Sequence, residues 1–360
     1  MDRRTIDVYE REAVAFAERR RAYSPDRAES FAAAVRPGGV RLDLGSGPGH
    51  YVPHLGAPVV LADAAPAMLA EARRRHGPVP ALAGDLEALA VRPGSLAGVW
   101  ASKCLQHIPA LRLPLALAGL HWALEVGGVL DLTVFGGEGE DRTSTDDDFP
   151  GRLFASWPPD VLTDLLVGAG FTVDAMEISP RPDGWDAVSA RATRARTLPD
   201  TVGPGMRLLM CGLNPSLYAA DAGVGFARPG NRFWPATLAA GIVSTDRSPD
   251  RALADHGVGM TDLVKRATVA AAELSADEYR AGLDRVRRLV AWLRPGAVCF
   301  VGLAGWRAAV DRKAVAGVQP ADLGGVPVYV MPSTSGLNAR VPAAELADHL
   351  RAAARLADGG

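Results

Sequence analysis

Two short polar loops in the second half of the chain carry the residue types best suited to chemistry. The first is Gly212-Leu213-Asn214-Pro215-Ser216, and the second is Met331-Pro332-Ser333-Thr334-Ser335-Gly336-Leu337-Asn338-Ala339-Arg340. Both offer small residues, exposed backbone N–H groups and side-chain amides or hydroxyls, which suit close contact with a flat polar base. Either loop alone could be an ordinary turn, because short Gly/Pro/Ser motifs are weak signals.

Buried strands are predicted immediately before both loops, because residues 206–211 and 326–330 are short, mostly apolar runs. Open α/β sheets place their ligands at the carboxyl ends of strands, so the two loops should lie at a ligand-binding edge. The pattern also predicts an amphipathic helix over 277–294, whose Arg285, Arg287 and Arg288 are expected on its solvent face. Further predicted elements are helices over 235–240 and 341–356 and a strand over 297–302.

Two further motifs lie between the loops, the Phe226-Ala227-Arg228-Pro229-Gly230-Asn231-Arg232-Phe233-Trp234 string and the Gly257–Arg266 string. The four motifs in this order resemble the mismatch-specific uracil/thymine DNA glycosylases of the uracil-DNA glycosylase superfamily, over about residues 204–355. The resemblance implies that Asn214 orients the water that attacks C1′ of the sugar. It also implies that Phe226 stacks on the flipped base and that backbone groups of Gly212 and Leu213 read the polar edge of that base.

The resemblance assigns the second loop to the DNA duplex. Leu337, next to Gly336, would be the apolar wedge that fills the vacated base stack, and Arg340 would meet a phosphate or the opposite strand. Ser333 and Asn231 are further candidates at the substrate, although for Asn231 we favour a role in ordering its loop. The loop departs from the bacterial pattern, since Ser333-Thr334 replaces Asn-Pro and Ala339 replaces Arg.

Only three lysines are present, and none stands in a loop as an obvious Schiff-base nucleophile. We therefore expect hydrolysis to an abasic site without strand cleavage. Because the attacking water is positioned by an amide, which is not a strong base, we expect turnover to be slow.

The composition fits a soluble globular protein of two domains: 360 residues, 48% hydrophobic and 22% charged. No membrane span or secretory signal is visible, and three distant cysteines form no metal-ligand spacing, so we expect a cytoplasmic, metal-free protein. Residues 1–200 hold 21 basic and 27 acidic side chains, whereas residues 201–360 hold 18 basic and 14 acidic ones. The basic second half agrees with DNA binding without establishing it.

A glycine-rich loop follows a predicted strand in the first half, in the string Leu42-Asp43-Leu44-Gly45-Ser46-Gly47-Pro48-Gly49. Glycines there allow a sharp turn and close approach of a ligand. A second strand over 59–63 ends in Asp63, whose carboxylate can accept both hydroxyls of a ribose. A helix is predicted over 5–35, and later strand-like segments end at Asp85-Leu86, at Ser102 and at Phe135.

This string, with Asp63, Asp85 and the 127–135 strand, resembles class I S-adenosylmethionine-dependent methyltransferases over about residues 5–190. The resemblance implies that Gly45, Gly47 and Gly49 pass the methionine end of the cofactor. It also implies that Asp63 holds the ribose and that Asp85 and Leu86 contact the adenine.

The methyl acceptor cannot be read from the sequence, because methyl transfer needs little beyond alignment of a nucleophile. His107 is either a base near the acceptor or a structural histidine at a helix start, and we favour the second. We expect His50 and His54 on a helix surface and Cys104 in packing.

The fold class is therefore α/β with two domains. Residues 1–195 form a Rossmann-like methyltransferase fold, 196–205 a linker, and 206–360 a glycosylase-like α/β/α sandwich. The predicted function is a monomeric DNA repair glycosylase that removes uracil, with thymine or other damaged pyrimidines as further candidates, opposite guanine in double-stranded DNA. It is fused to an S-adenosylmethionine-dependent methyltransferase of unknown acceptor. One alternative is a small-molecule methyltransferase carrying an inactive, DNA-binding glycosylase-like module, and another is a pair of binding modules that sense cofactor and DNA.

Overall fold

The structure is a computed structural model that describes residues 1–180, 186–338 and 340–359. Ala339, named above, lies outside the described residues. The chain divides into two compact units: Met1–Val167 with Phe171–Ala195, and Gly168–Gly170 with the residues from Arg196 onward. Among the helices described, none is both long and apolar enough to cross a membrane.

The first unit alternates strands and helices before ending in two antiparallel strands. Its helices are α1 (Arg3–Arg19), α2 (Pro25–Ala34), α3 (Pro66–His76), α4 (Leu113–Ala123) and α5 (Pro159–Gly168). Its strands are β1 (Arg41–Leu44), β2 (Val59–Asp63), β3 (Ala81–Ala83), β4 (Leu96–Ser102), β5 (Leu124–Gly136), β6 (Asp141–Thr143), β7 (Leu153–Trp157), β8 (Phe171–Ser179) and β9 (Ala187–Arg194).

The sheet of the first unit runs β3-β2-β1-β4-β5, with all of these neighbours parallel. Strand β9 then pairs antiparallel with β5, and β8 with β9. This arrangement is the Rossmann-like fold that the sequence predicts. Consecutive parallel strands need crossover connections; α3 lies between β2 and β3, α4 lies between β4 and β5, and loops make the other two connections.

The single helix predicted over 5–35 is wrong, because the structure has two helices there, α1 and α2. The break follows from Ser24-Pro25. Proline disfavours helical backbone at the residue before it but suits the first turn of a new helix, and Ser24 has φ −141° and ψ 77° with Pro25 at the helix start.

The second unit also alternates strands and helices. Its helices are α6 (Leu217–Ala222), α7 (Phe233–Ala240), α8 (Pro249–His256), α9 (Ala276–Leu293), α10 (Leu303–Ala309) and α11 (Ala343–Ala357). Its strands are β10 (Leu208–Gly212), β11 (Val258–Asp262), β12 (Ala297–Val301), β13 (Gly317–Val318) and β14 (Val328–Met331).

The sheet of the second unit runs β11-β10-β12-β14-β13, and only β13 is antiparallel to its neighbour. Alternate residues of its central strands point to opposite faces. Leu208, Met210 and Cys299 pack in one core with α7, α8 and α11. Phe300 is on the alternate register and packs against Trp306 of α10, with ring centroids 5.0 Å apart. Helices therefore cover both faces, as the predicted sandwich requires.

Candidate active sites

The first polar loop leaves the carboxyl end of β10, in the middle of the second sheet. Gly212 is the last residue of β10 and pairs with Asp262, the last residue of β11. Leu263 and Val264 donate backbone N–H groups to the carbonyl oxygens of Gly212 and Leu213, at 2.9 and 3.0 Å. The loop is therefore held against the segment after β11, and one lone pair of each carbonyl is already used.

Ser216 fixes the other end of this loop by capping α6. Its hydroxyl accepts the backbone N–H of Ala219 at 3.1 Å, which satisfies one of the otherwise unpaired N–H groups of the first helical turn. Between the strand end and this cap, the backbone of Leu213 to Pro215 has little freedom. The side chain in the middle of the loop is therefore held in place from both sides.

The amide of Asn214 is held by three acceptors. Its Nδ2 lies 3.1 Å from the carbonyl oxygen of Pro215, 3.0 Å from that of Arg266 and 2.8 Å from the hydroxyl of Thr268. Because two of these groups are carbonyls and can only accept, the NH₂ end of the amide must face them. The carbonyl end, Oδ1, accepts no hydrogen bond from the described residues and can accept one from a water molecule.

Gly212 allows two side chains to approach the strand end closely. A Cβ at this position would collide with Oδ1 of Asp262 and would lie 3.3 Å from Cζ of Phe226. Phe226 itself has a left-handed backbone, with φ 59°. Its ring stacks on Phe233 at 4.0 Å between centroids and 17° between planes, so it can offer only its second face to a base.

Asp262 is a carboxyl group at this site that sequence reasoning missed. Burial raises its pKa to about 6; Lys265 and Arg285 act in the opposite direction, while Asp200 adds to the rise. No side-chain hydrogen bond to Asp262 is formed within the described part of the chain. The available signal was its place in the Gly257–Arg266 motif.

A buried ionic cluster supports the end of β11. Asp200 accepts hydrogen bonds from Lys265 at 2.7 Å, Arg285 at 2.8 Å and the hydroxyl of Thr261 at 2.7 Å. Although burial alone would raise the pKa of Asp200, the charges of Arg285 and Lys265 hold it below its usual value. Arg285 also donates to the carbonyl oxygen of Asp262 at 2.8 Å, which fixes the strand end.

The predicted solvent exposure of Arg285 is therefore wrong, since only 4% of the residue is exposed. Helical spacing placed it beside apolar positions of α9, and the prediction assumed that an arginine must face solvent. Its carboxylate partner lies 85 residues away in sequence, so no local pattern could reveal it. The neighbouring Arg287 and Arg288 are exposed, as predicted.

The second polar loop presents Leu337 to solvent. This residue is 95% exposed, which is unusual for a large apolar residue. Asn338 donates from Nδ2 to the carbonyl oxygen of Ser333 at 2.9 Å, and the Leu337 N–H lies 3.4 Å from the hydroxyl of Ser335. A Cβ on Gly336 would lie 2.9 Å from the carbonyl oxygen of Gly230, so the loop lies close to the segment that carries Phe226.

The glycine-rich loop of the first unit has the backbone that only glycine adopts readily. Gly45, Gly47 and Gly49 have φ values of 62°, 52° and 74°. A Cβ on Gly45 would collide with the side chain of Cys104. Cys104 is buried, so its side chain packs against the loop, as predicted.

Asp63 is tied to the glycine-rich loop. Its Oδ2 accepts the Gly47 N–H at 2.8 Å and its Oδ1 accepts the Ala65 N–H at 2.9 Å. Burial raises the pKa of Asp63 to about 6 in spite of these hydrogen bonds. Each carboxylate oxygen can accept one further hydrogen bond, which is the capacity that two ribose hydroxyls would need.

Asp85 and Leu86 follow β3 at the same edge. Both oxygens of Asp85 lie 3.0 Å from the amino group of Met1, and Oδ1 also accepts the Glu87 N–H at 3.0 Å. Burial acts to raise the pKa of Asp85, but these donors hold it below its usual value. Leu86 is buried.

Several buried polar atoms around the glycine-rich loop have no hydrogen-bond partner among the residues that the structure describes. They are Oδ2 of Asp43, the hydroxyl of Ser46 and Nε2 of His50. Burial and the neighbouring Asp63 raise the pKa of Asp43 well above its usual value. Buried polar groups are rarely left unpaired in proteins, so this edge fits a polar ligand with both donors and acceptors.

His50 is not on a helix surface, and that prediction is wrong. It lies in a turn after the glycine-rich loop, and burial lowers its pKa to about 4, aided by Arg75 and Arg21. The three glycines keep the chain in turns there, so no helix begins before His50. His54 also lies in a turn, where its Nδ1 is 2.9 Å from a carboxylate oxygen of Glu29.

His107 lies in a 3₁₀ turn, Leu105–His107, after β4. Its Nδ1 lies 2.7 Å from the carbonyl oxygen of Leu153, which can only accept, so Nδ1 carries the proton. Its Nε2 therefore accepts from the hydroxyl of Tyr9, at 2.8 Å. Burial lowers the pKa of His107 to about 4, so the ring is neutral at pH 7.

Comparison with protein families gives a match within each unit. Residues 199–355 match the model of the uracil DNA glycosylase superfamily, and residues 42–128 match a methyltransferase domain. The chain joins a methyltransferase domain to a uracil DNA glycosylase superfamily domain. The two matched ranges contain the two glycine-bearing strand ends described above.

Solved structures similar to the chain include methyltransferases. One is an S-adenosylmethionine-dependent methyltransferase from Methanosarcina mazei, 16% identical, covering 46% of this chain and 97% of its own, with a TM-score of 0.41. Another is the 1,6-didemethyltoxoflavin-N1-methyltransferase from Burkholderia thailandensis, 24% identical, covering 52% and 88%, with a TM-score of 0.40.

In the glycosylase domain, the structure brings Gly212, Leu213, Asn214 and Phe226 together at the end of β10. Asn231 accepts the Phe233 N–H at 2.9 Å through its side chain, so it orders the start of α7. Residues that the sequence suggested for the second loop lie between β14 and α11. They are Ser333, half-buried, and Gly336, Leu337 and Arg340, all exposed.

In the methyltransferase domain, β1 leads into Gly45, Gly47 and Gly49, and the end of β2 places Asp63 against them. Asp85 and Leu86 follow β3, the edge strand beside β2. The sequence reasoning gave no role to Asp43. This residue lies inside β1, at a position that would otherwise be expected to hold an apolar core residue. Its neighbours are apolar, and an acid within a buried strand was the available signal.

Proposed function

We propose that the glycosylase domain hydrolyses the N-glycosidic bond of uracil opposite guanine in double-stranded DNA, leaving an abasic site. Thymine and other damaged pyrimidines opposite guanine are further candidate substrates. The orientation of Asn214 carries this proposal, because its NH₂ end is fixed by two carbonyls and a hydroxyl. With the NH₂ end held in this way, the amide oxygen can accept a hydrogen bond from a water molecule.

The amide works by orientation. It holds a water through a hydrogen bond from the water to Oδ1, so that the water oxygen faces C1′ of an everted nucleotide. An amide has almost no basicity, so it cannot take the proton of that water early in the reaction. The rate must come from geometry and from stabilisation of the departing base, and we therefore expect slow turnover.

Phe226 and the strand end form the place for the base. Phe233 supports the Phe226 ring from behind, and the left-handed backbone of Phe226 sets the direction of that ring. The carbonyl oxygens of Gly212 and Leu213 are already bonded to the segment after β11. Their remaining lone pairs, the backbone N–H groups that follow and the Asp262 carboxyl are the groups that could read the base.

The function is tested with a duplex that contains one G·U pair, followed by heating in alkali to cleave abasic sites. We expect the wild-type chain to give the cleavage product and Asn214→Ala to lose at least about 100-fold in rate, since positioning is its whole contribution. Asn214→Asp adds a basic group and should retain or raise activity. No product from the wild-type chain, in the presence of an active control glycosylase, would refute the proposal.

For the first unit, we propose binding of S-adenosylmethionine and methyl transfer to an acceptor that the residues do not identify. Polar atoms of Asp43 and Ser46 have no partner within the described ranges, and together with the positive-φ glycines they fit a polar cofactor at the end of β1. When bound, the cofactor supplies an electrophilic methyl group on a sulfonium. Asp63 would hold the ribose, Asp85 and Leu86 the adenine, and the glycines would leave room for the methionine end.

Calorimetric titration with S-adenosylmethionine tests the cofactor assignment. We expect binding by the wild-type chain and an affinity lower by about 10-fold or more for Asp63→Ala, because two hydrogen bonds to a carboxylate are lost. Arg142→Ala, an exposed change on β6, is the control. If titration of the wild-type chain with S-adenosylmethionine gives no heat of binding, the proposed cofactor assignment is refuted.

A further inference from the structure

We propose that Arg232 is a positioning residue that latches the Leu337 loop (residues 332–338) to the Phe226 loop (residues 223–232). The latch would make insertion of Leu337 into the duplex and capture of the base by Phe226 a single event. This inference rests on the proposed glycosylase function and names a residue that the family resemblance did not supply.

Arg232 contacts the Leu337 loop through both its backbone and its side chain. Its backbone N–H donates to the carbonyl oxygen of Thr334 at 2.9 Å. Its Nη2 donates to the carbonyl oxygen of Asn338 at 2.6 Å and its Nη1 to that of Val341 at 2.5 Å. Arg232 thus contacts the chain on both sides of the loop tip, before Leu337 through its backbone N–H and after Leu337 through its guanidinium.

The same residue belongs to the base-binding side. Arg232 directly precedes Phe233, whose ring stacks on Phe226. The neighbouring Asn231 accepts the Phe233 N–H, which fixes the direction of the chain at this point. A displacement of the Leu337 loop would therefore pull on Arg232 and, through one peptide unit, on the ring that supports Phe226.

The exposure of Leu337 explains why such a latch would be needed. A residue that is 95% exposed has almost no packing of its own to hold it in position. Opening a base step costs a few kcal/mol, and a wedge on a loose loop would yield instead of opening the stack. The close approach of Gly336 to the Gly230 carbonyl adds a second contact between the same two loops.

Arginine is suited to this role because its planar guanidinium donates in two directions at once. Lysine could donate to one of the two carbonyls but could not hold both in a fixed plane. Arg232→Lys therefore keeps the positive charge while removing the fork. Arg228→Gln is the matched control. It removes the charge of an exposed arginine in the Phe226 loop and leaves the contacts of Arg232 in place.

The test measures single-turnover release of uracil from a G·U duplex and from the same strand without its complement. We expect Arg232→Gln and Arg232→Lys to slow the duplex reaction by about 10- to 100-fold and the single-strand reaction by less than about threefold, since only the duplex needs the wedge. Arg228→Gln should change both rates by less than about threefold at 150 mM salt, where one exposed charge is largely screened.

A double-mutant cycle on the duplex gives a second readout. In a Leu337→Ala background, Arg232→Gln should cause no further loss of rate, because Arg232 acts by positioning the Leu337 side chain, which this variant lacks. Thermal unfolding of each variant checks that the fold is kept, and Arg232→Lys carries the cycle if Arg232→Gln does not fold.

Three results would overturn the latch. The first is an equal loss of rate on both substrates when Arg232 is changed. The second is an additive loss of rate in the Leu337→Ala background. The third is full activity of Arg232→Lys, together with equal losses of rate in Arg228→Gln and Arg232→Gln. The last result would mean a simple charge effect. A wild-type chain inactive on both substrates would instead refute the proposed function, and the latch with it.

Discussion

Asp262 should make the glycosylase domain less stable as the pH rises. Burial raises its pKa from 3.8 to about 6, with Lys265 and Arg285 opposing and Asp200 adding to the rise. The folded state therefore binds this proton more tightly than the unfolded state does. The stabilisation is fully present below about pH 4 and is lost as the pH rises through about 6.

The size of the effect follows from the shift. About two pKa units correspond to about 3 kcal/mol at 1.36 kcal/mol per unit, and partial exposure of the side chain lowers this to about 1–3 kcal/mol. Asp262→Asn cannot lose a proton, so its free energy of unfolding should lack this slope. Relative to wild type, the variant should gain about 1–3 kcal/mol between pH 4 and pH 8.

Hydrogen exchange followed by mass spectrometry is the suitable assay, because peptides from β10 and β11 report on this domain alone. Wild type and variant are compared at the same pH, so the intrinsic pH dependence of exchange cancels. Asp246→Asn, in an exposed loop of the same domain, is the control and should show no pH-dependent difference. A difference between Asp262→Asn and wild type that is constant from pH 4 to pH 8 would refute the reasoning.

Three further predictions concern the supports of the two sites. Thr268→Val removes one of the three groups that orient Asn214, and single-turnover base release should fall by about tenfold with unchanged thermal stability. Asp200→Asn leaves Lys265 and Arg285 poorly paired, and should lower the free energy of unfolding in urea by about 3–5 kcal/mol. A decrease below about 1 kcal/mol would contradict this. Because the pKa of Asp63 is raised to about 6, titrations should show constant S-adenosylmethionine affinity above about pH 7 and weaker binding below pH 6.

The parts of the fold that could be predicted from sequence are those fixed by local pattern. Buried parallel strands are continuous apolar runs, so β10 and β12 were placed within two residues at each end. Loops that carry glycine or proline at strand ends could be predicted from the sequence equally well. The single helix over 5–35 failed because the apolar pattern continues across Ser24-Pro25, where the backbone requirement of proline prevails over periodicity.

The candidate sites were predictable in their loops and not in the side chains that support them. Asn214 stands in a recognisable motif, but the carbonyl of Arg266 and the hydroxyl of Thr268 that orient it come from the segment after β11. The predicted solvent exposure of Arg285 was wrong for the same reason, since its buried partner Asp200 is distant in sequence. Motifs give the residue types at a site, whereas orientation depends on pairings that only the folded chain creates.

Asp200 and Asp262 show how such pairings decide the chemistry of identical side chains. Both lie by the end of β11, and burial acts to raise the pKa of each. Asp200 accepts hydrogen bonds from two cations and a hydroxyl, so it stays ionised and serves as structure. The carboxyl group of Asp262 lies near the same cations but accepts no hydrogen bond from the described residues, and burial raises its pKa to about 6. On the proposed function, we therefore expect base release to depend on pH through this carboxyl group, which lies beside Gly212 at the end of β10.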